Sequence, residues 1–435
     1  MRAFHDFIPS LRIANWTPAL IRKHLLKQET ETIESLCRLM MESDGEYSSL
    51  LLAERILNAY EKLDDNERLS FFELLQQDYD VDAEQIKSCA DDYQQTPDAV
   101  NLKRLGAAAE PRRQELLRRI NLATSGTRRL VKMREHLLVL IAEHPGLKKI
   151  DTDFHHLFNA WFNRAFLTMQ PIDWTTPAHI LEKIIAYEAV HEIKSWDELR
   201  SRLQPEDRHC FAFFHPSMED EPLVFVVVAL ADHIPASIGE ILQRDEAAVV
   251  VDELDCAIFY SISNCHSGLA GVSFGNFLIK QVATSLKLRF PELKKFSTLS
   301  PAPGFAAWLK KRAEKDSDVA SLLQQFDSDA DAPLRDRVEG LAATYFLEQK
   351  NRRGEPLDPV ARFHLKNGAI LKRINILGDT SPKGMQQSLG LMVNYVYDLS
   401  RVEENHEEYV KNNKVISNSR VRKLLKKNPT SSEDE

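Results

Sequence analysis

Three short stretches of the sequence bring together residue types that can do chemistry. In the first, residues 267–276 read SGLAGVSFGN, with glycines at 268, 271 and 275. A strand-like run, AIFYSIS, leads into it and a helix-like run, NFLIKQVATSL, leads out. Small residues at a strand–helix junction let backbone N–H groups approach an anion, and the helix amino terminus adds a positive dipole end. That is the physics of a pyrophosphate cradle. No G-K-[ST] follows and the glycine spacing is not that of a Rossmann turn, so neither of those nucleotide loops is present. The plain alternative is glycine needed only for close packing. In the second stretch, residues 299–305 read LSPAPGF, placing Ser300 at the end of a short strand with Pro301 and Pro303 stiffening the backbone. A held hydroxyl can hydrogen-bond a reacting oxygen, but a serine before a helix is also an ordinary cap. Ser297 and Thr298 are competing hydroxyls, and no G-x-S-x-G marks a nucleophile elbow. In the third, residues 358–364 read DPVARFH, a proline-started helix with His364 one turn in. An imidazole with an ordinary pKa of about 6.5 suits proton transfer near neutrality. A half-buried, hydrogen-bonded histidine is the competing reading. His155, His156, His209, His215 and His266 form no H-x-x-x-H with an acidic third ligand, so no metal site is expected.

The elements that must hold these groups fall into two textures. Residues 20–145 read as helices. Ile33, Leu36, Cys37 and Met40 share one helical face, and Leu50, Leu51, Ile56, Leu57 and Tyr60 serve a second helix. Thr96-Pro97-Asp98 predicts a helix start with the proline in its first turn. No segment repeats another, which favours a bundle over a solenoid. From residue 209 the runs HCFAFFH, LVFVVVAL, CAIFYSI and, near the end, LMVNYVY read as strands, with helices around 276–288 and 305–349. The expected fold class is α+β: an all-α bundle over residues 1–146, an α/β domain with a mixed central sheet over 147–410, and a polar, flexible tail over 411–435.

Composition narrows the function. A chain of 435 residues suits two domains, and 43% apolar with 28% charged residues is ordinary for a soluble protein. A net charge of -9 excludes a global basic field for nucleic acid while leaving room for a local phosphate pocket. Cys37, Cys89, Cys210, Cys256 and Cys265 are odd in number, widely spaced and without C-x-x-C. They suggest neither a zinc site nor a disulfide framework, and fit a reducing compartment, the cytoplasm. No apolar run reaches the roughly 20 residues of a membrane helix. The opening MRAFHDFIPSLRIANW lacks the apolar core of a secretory signal, although its weak basicity leaves a cleaved organellar peptide as the alternative.

Ala270-Gly271-Val272-Ser273-Phe274-Gly275 resembles the Q/R-x-x-G-x-G/A pyrophosphate loop of the GNAT acyltransferase fold, with Ala270 in place of the polar lead residue. The blocks AIFYSIS, GLAGVSFGNFLIK, FSTLSPAPGF, DPVARFHLKNGA and GLMVNY, in that order, resemble the signature blocks of malonyl-CoA decarboxylase. The helical half is similar to that family's helical domain, so the likeness spans most of the chain. The resemblance implies a GNAT-like catalytic domain that removes CO2 from malonyl-CoA to leave acetyl-CoA, in malonate catabolism or fatty acid metabolism. Ser300 and His364 match the catalytic hydroxyl and imidazole. Residues Ala270, Gly271, Val272, Ser273, Phe274, Gly275 and Asn276 would hold the coenzyme A phosphates, and Ser261 and Tyr397 would line the site. Ser273 is a departure, since some members, animal enzymes in particular, carry glutamate there. The family also implies a homodimer or homotetramer, with no nucleic-acid or membrane partner.

Decarboxylation of a malonyl thioester needs no metal, pyridoxal or biotin in principle, because the substrate's thioester carbonyl accepts the electrons. No cofactor beyond the coenzyme A of the substrate is therefore expected. Ser300 would hydrogen-bond the thioester oxygen or carboxylate and His364 would protonate the carbanion, directly or through water; the alternative is the opposite division of labour, with Ser300 relaying a proton to His364. Two other functions share the loop. An acyltransferase on the same fold would need an acceptor amine, and an acyl-CoA sensor would bind without releasing CO2.

Overall fold

Short polar signals start the helices of the amino-terminal region. In chain order these are α1 (Ile33–Glu42), α2 (Glu46–Tyr60), α3 (Asp65–Gln77), α4 (Ala83–Gln95), α5 (Ala99–Ala108), α6 (Arg112–Ile120), α7 (Gly126–Leu140) and α8 (Lys148–Trp161). Thr32 caps α1 by accepting from Ser35 N at 3.2 Å, and Asp64 and Glu67 form a reciprocal capping box on α3. Asp98, not Pro97, opens α5: its carboxylate accepts from Asn101 N at 2.8 Å, so the proline precedes the cap instead of sitting in the first turn. The apolar stripe of α2 runs through Leu52, Ile56, Leu57 and Tyr60, whereas Leu50, expected in it, is 44% exposed. The computed structural model describes residues 32–43, 45–243, 250–272 and 277–425, and the chain divides into two compact units. The first comprises the helical region to Phe166 with two later segments, Pro216–Glu219 and His266–Ser273. A buried charge cluster helps fix it: Arg113 donates to Asp153 at 2.5 Å and to Asp80 at 2.8 Å, so each buried charge is paired.

The second unit is built on one mixed sheet. Its strands are β1 (Thr168–Ile172), β2 (Arg208–Phe214), β3 (Pro222–Ala231), β4 (Cys256–Asn264), β5 (Lys295–Thr298), β6 (Ser300–Pro301), β7 (Ile370–Asn375) and β8 (Met392–Tyr397). The order is β1-β2-β3-β4-β5-β8-β6, with β7 also on β8. β2 and β3 are buried at every residue, and β3, PLVFVVVALA, reads as an unbroken apolar run because both of its faces are covered. The parallel pair, β4 with β5, needs a crossover, and helix α12 (Phe277–Arg289) supplies it, after α9 (Ala178–Tyr187), α10 (Trp196–Leu203) and the short α11 (Gly239–Leu242). In β4, Val227 pairs with Ser261 and Val228 with Phe259, leaving Tyr260 as an extra residue that bends the strand. A helical region followed by a mixed-sheet α/β region is the architecture expected from the sequence.

The carboxyl-terminal part holds α13 (Phe305–Ala313), α14 (Ser317–Gln325), α15 (Ala332–Leu347), α16 (Pro359–Lys366), α17 (Pro382–Ser388), α18 (Val402–Asn412) and α19 (Ser419–Leu424). The stretch expected as a polar tail contributes to the fold. Leu371 N donates to Ile416 O and Asn418 N to Leu371 O, both at 2.9 Å, and Val421 and Leu424 of α19 are buried. Two apolar side chains among the basic residues of VRKLLKK are enough to anchor it; residues 426–435 lie outside the described residues.

Candidate active site

Pairing of β4 with β5 ends at Phe259–Thr298. Beyond that point a cavity of about 230 Å³ opens, lined by Ser300 and Pro301 of β6, by Asn264 and Tyr260 of β4, and by His364 of α16. Phe259, Ile262, Val360 and Phe363 make much of the remaining wall, and Val190 joins it from the α9–α10 loop. No charged side chain is among its described lining residues.

His364 is placed by its helix. Asp358 caps α16, its Oδ1 accepting from Ala361 N at 2.7 Å, and Pro359 occupies the first turn, where its missing N–H costs nothing. Tyr345 hydroxyl donates to Asp358 Oδ2 at 3.3 Å. Burial pushes the Asp358 carboxyl up to about 6, against the opposing pull of its hydrogen bonds. One turn on, the imidazole stacks on the Tyr395 ring at 4.7 Å between centroids and meets the edge of Phe363. It is 3% exposed, and burial pushes its pKa down to about 3. The ring therefore stays neutral across the physiological range, whereas the ordinary value assumed from sequence would have it titrate there.

The two expected catalytic residues meet. Ser300 Oγ lies 3.0 Å from His364 Nε2 and donates to Thr298 Oγ1 at 2.9 Å, while His364 Nδ1 lies 2.8 Å from the Tyr397 hydroxyl. A hydroxyl has one proton. With that of Ser300 given to Thr298, His364 must donate through Nε2–H, and Nδ1 must accept from Tyr397. The chain Tyr397 to His364 to Ser300 to Thr298 then runs in one direction with a single tautomer. Thr298 Oγ1 also accepts from Tyr395 N at 3.2 Å, and Asn394 Nδ2 holds Thr298 O at 2.8 Å, so the strand ends on which the hydroxyls sit are fixed. Ser300 caps no helix; Gly304 is the residue before α13.

The other expected site residues divide. Tyr397 joins the Ser300–His364 pair. Ser261 does not: its hydroxyl donates to both oxygens of Glu188 at 2.8 Å, with Ser263 at 3.3 Å from Glu188 Oε1, on the other face of β4 from Ile262. Ala270, Gly271 and Val272 belong to the helical unit. There Arg134 Nη1 donates to Gly268 O at 2.8 Å and to Ala270 O at 2.9 Å, and His155 Nε2 lies 2.9 Å from Gly271 O. A Cβ on Gly268 would meet Val131 O at 2.0 Å, so this glycine answers to close packing against α7. Gly271 has φ of +80°, the left-handed region that favours glycine. The N–H groups of Ala270 and Val272 are taken by Ser267 O and Leu269 O, whereas that of Gly271 has no partner among the described residues. Ser273, Phe274, Gly275 and Asn276 lie outside the described residues. Among the described residues no three His, Cys, Asp or Glu side chains gather as a metal-ligand set.

Sequence reasoning missed Glu188, Tyr395 and the role of Asp358. Asp358-Pro359 is a readable cap signal. Glu188 leaves no local pattern, because its serine partners lie more than seventy positions away in the chain.

Comparison with known proteins gives the family. Residues 165–435 match the malonyl-CoA decarboxylase C-terminal domain and residues 79–162 the N-terminal domain of the same family. The mouse protein "Malonyl-CoA decarboxylase, mitochondrial" is 32% identical over 358 residues, 74% of this chain and 73% of its own length. The goose protein of the same name is 34% identical over 336 residues, 69% of this chain and 66% of its own. The crystal structure of malonyl-CoA decarboxylase from Rhodopseudomonas palustris superposes with a TM-score of 0.85 at 48% identity, covering 90% of this chain and 98% of that one. That from Cupriavidus metallidurans gives 0.71 at 33% identity, covering 90% and 98%. With both halves matched and the fold shared along nearly the whole length, the chain belongs to the malonyl-CoA decarboxylase family of carboxy-lyases.

Proposed function

We propose that the protein converts malonyl-CoA to acetyl-CoA and CO2 with no metal or organic cofactor, His364 acting as proton donor and Ser300 as the relaying hydroxyl. The observation that carries this reading is the buried Tyr397–His364–Ser300 chain, which ends on a cavity without a charged lining residue. The thioester carbonyl is the electron sink. As the C–C bond to the carboxylate breaks, its electron pair stays on Cα and spreads to the thioester oxygen as an enolate. The apolar wall strips water from the carboxylate and suits the uncharged CO2 that leaves. Ser300 turns its hydroxyl from Thr298 to the developing oxyanion, an interaction worth most in such a dry site.

Protonation completes the reaction. Burial holds His364 neutral, so the donor is an imidazole N–H and not an imidazolium. Ser300 gives its proton to the carbanion and takes the one on Nε2, and the Tyr397 hydroxyl supports the charge left on the ring until solvent restores the proton. A neutral imidazole is a weak acid, but a thioester carbanion is a strong base, and such pairing of a neutral histidine with an enolate is chemically sound. The coenzyme A diphosphate is assigned to Gly271 N–H and the loop from Ala270 to Asn276.

The reading extends to a homodimer or homotetramer in the cytoplasm, acting on malonyl-CoA without nucleic-acid or membrane partners. Five free, buried cysteines support a reducing compartment, although the curated relatives are named as mitochondrial. Among the described residues no helix is long and apolar enough to cross a membrane. The test is to incubate purified protein with malonyl-CoA and a chelator, without an acceptor, and follow acetyl-CoA by chromatography. No acetyl-CoA refutes the proposal; a strict need for an amine acceptor reassigns the site to acyl transfer.

A further inference from the structure

Most of the catalytic cavity's wall comes from β4, β6 and α16, which are regular elements. Val190 is the exception, since it arrives on the irregular loop between α9 and α10. That loop is held with unusual thoroughness. The Glu188 carboxylate, 8% exposed, accepts from Val190 N at 2.8 Å and His191 N at 3.0 Å while also taking the Ser261 and Ser263 hydroxyls of β4. On the carbonyl side, Lys383 donates to Ala189 O and to Val190 O, the latter at 3.3 Å. Arg202 donates to His191 O at 2.7 Å and Glu192 O at 3.0 Å. Every peptide oxygen from 189 to 192 thus meets a cation, and a buried carboxylate staples the loop's N–H groups to the strand. Burying a carboxylate is costly unless several donors surround it, so the site is built to fix the backbone at 190.

We propose that Val190, held in register by Glu188, sets the size of the group at the α-carbon that the cavity accepts, and so discriminates malonyl-CoA from the coenzyme A thioesters of 2-alkylmalonates. The inference rests on the proposed decarboxylation and assigns its substrate selectivity. A cavity of about 230 Å³ is smaller than a typical pocket for a whole ligand, about 300–1,000 Å³, and so takes only the acyl end of the thioester. At that scale one methylene in an apolar wall changes discrimination by about 10- to 200-fold. Val190 contributes two methyls, and Glu188 is a positioning residue that acts through it.

The experiment compares kcat/KM for malonyl-CoA and racemic 2-methylmalonyl-CoA in the wild-type protein and three variants, read as the ratio of the two. Val190→Ala is expected to raise the methylmalonyl-to-malonyl ratio by about tenfold or more, and Val190→Ile to lower it. Glu188→Gln, which puts an amide donor among donors, should raise the ratio by releasing the loop; a merely structural lesion would lower both rates together. The two Val190 variants act in opposite directions, so poor folding of one leaves the other decisive. Ratios unchanged in both Val190 variants, or a Glu188→Gln loss equal for both substrates, overturn the inference while wild-type turnover of malonyl-CoA leaves the activity standing. If wild-type protein yields no acetyl-CoA from malonyl-CoA, the activity falls and the inference with it.

Discussion

Raising the pH from 5.5 to 8 probes the state of His364 directly. An imidazole at the ordinary pKa of about 6.5 would drop from about 90% to about 3% protonated over that range, an activity loss of about 30-fold if imidazolium were the acid. In the structure burial brings the group to about 3, so the ring stays neutral at both ends. The expected result is a kcat for malonyl-CoA, measured at saturating substrate by acetyl-CoA formation, that changes by no more than about twofold on account of this residue. Saturation removes the titration of free substrate phosphate from the comparison. Asp358, raised to about 6, titrates inside the window and caps the helix bearing His364, so a shallow inflection near 6 belongs to it and should vanish in Asp358→Asn. A loss of about 30-fold centred near 6.5 that survives in Asp358→Asn would refute the neutral-donor reasoning.

Ser300→Ala and His364→Asn should each lower kcat by about 10²-fold or more while coenzyme A affinity, measured by calorimetry, stays close to wild type. Tyr397→Phe leaves His364 Nδ1 without its partner in a buried site; kcat should fall by about tenfold and the thermal midpoint should drop by the equivalent of about 1–3 kcal/mol. Gly271→Asp combines left-handed strain with a charge that repels phosphate, and should weaken coenzyme A binding by about tenfold or more in the same calorimetric assay. Acid should destabilise the fold through His364. Below about 6.5 the unfolded chain takes up a proton that the folded ring refuses until about 3, so stability falls as pH falls through that window, by about 2 kcal/mol at pH 5. Denaturation midpoints at pH 5 and 7 should therefore differ less in His364→Gln than in wild type.

The helical face of Ile33, Leu36, Cys37 and Met40 was legible because one-sided burial imposes a period, and β3 because burial on both faces leaves a continuous apolar run. β7 was not: ILKRIN mixes basic and apolar residues, and only its pairing with β8 and the Leu371–Ser417 bridge make it a strand. Ser300 and His364 were legible through their flanking prolines and the family resemblance, not through chemistry alone, since a lone serine or histidine is usually structural. Ser261 looked like an active-site residue because of its place in the signature block. The alternation of β4 sends it to Glu188 instead, a contact no local pattern announces. The pKa of His364 was unreadable because it depends on enclosure by Tyr395 and Tyr397 of β8, a strand about thirty positions further along the chain.

One strand gathers the reactive set. β8 pairs with β5 through Tyr397 and Val396, with β6 through Val393 opposite Ser300, and with β7 along its length. Slipping it by one position would turn Tyr397 to the opposite side and reverse its neighbours with it, the buried Asn394 included. During refolding, then, compaction and secondary structure can be complete while the enzyme is still inert. Turnover requires this hexapeptide in its native register, which makes catalysis a reporter on strand alignment that optical probes of bulk structure do not provide.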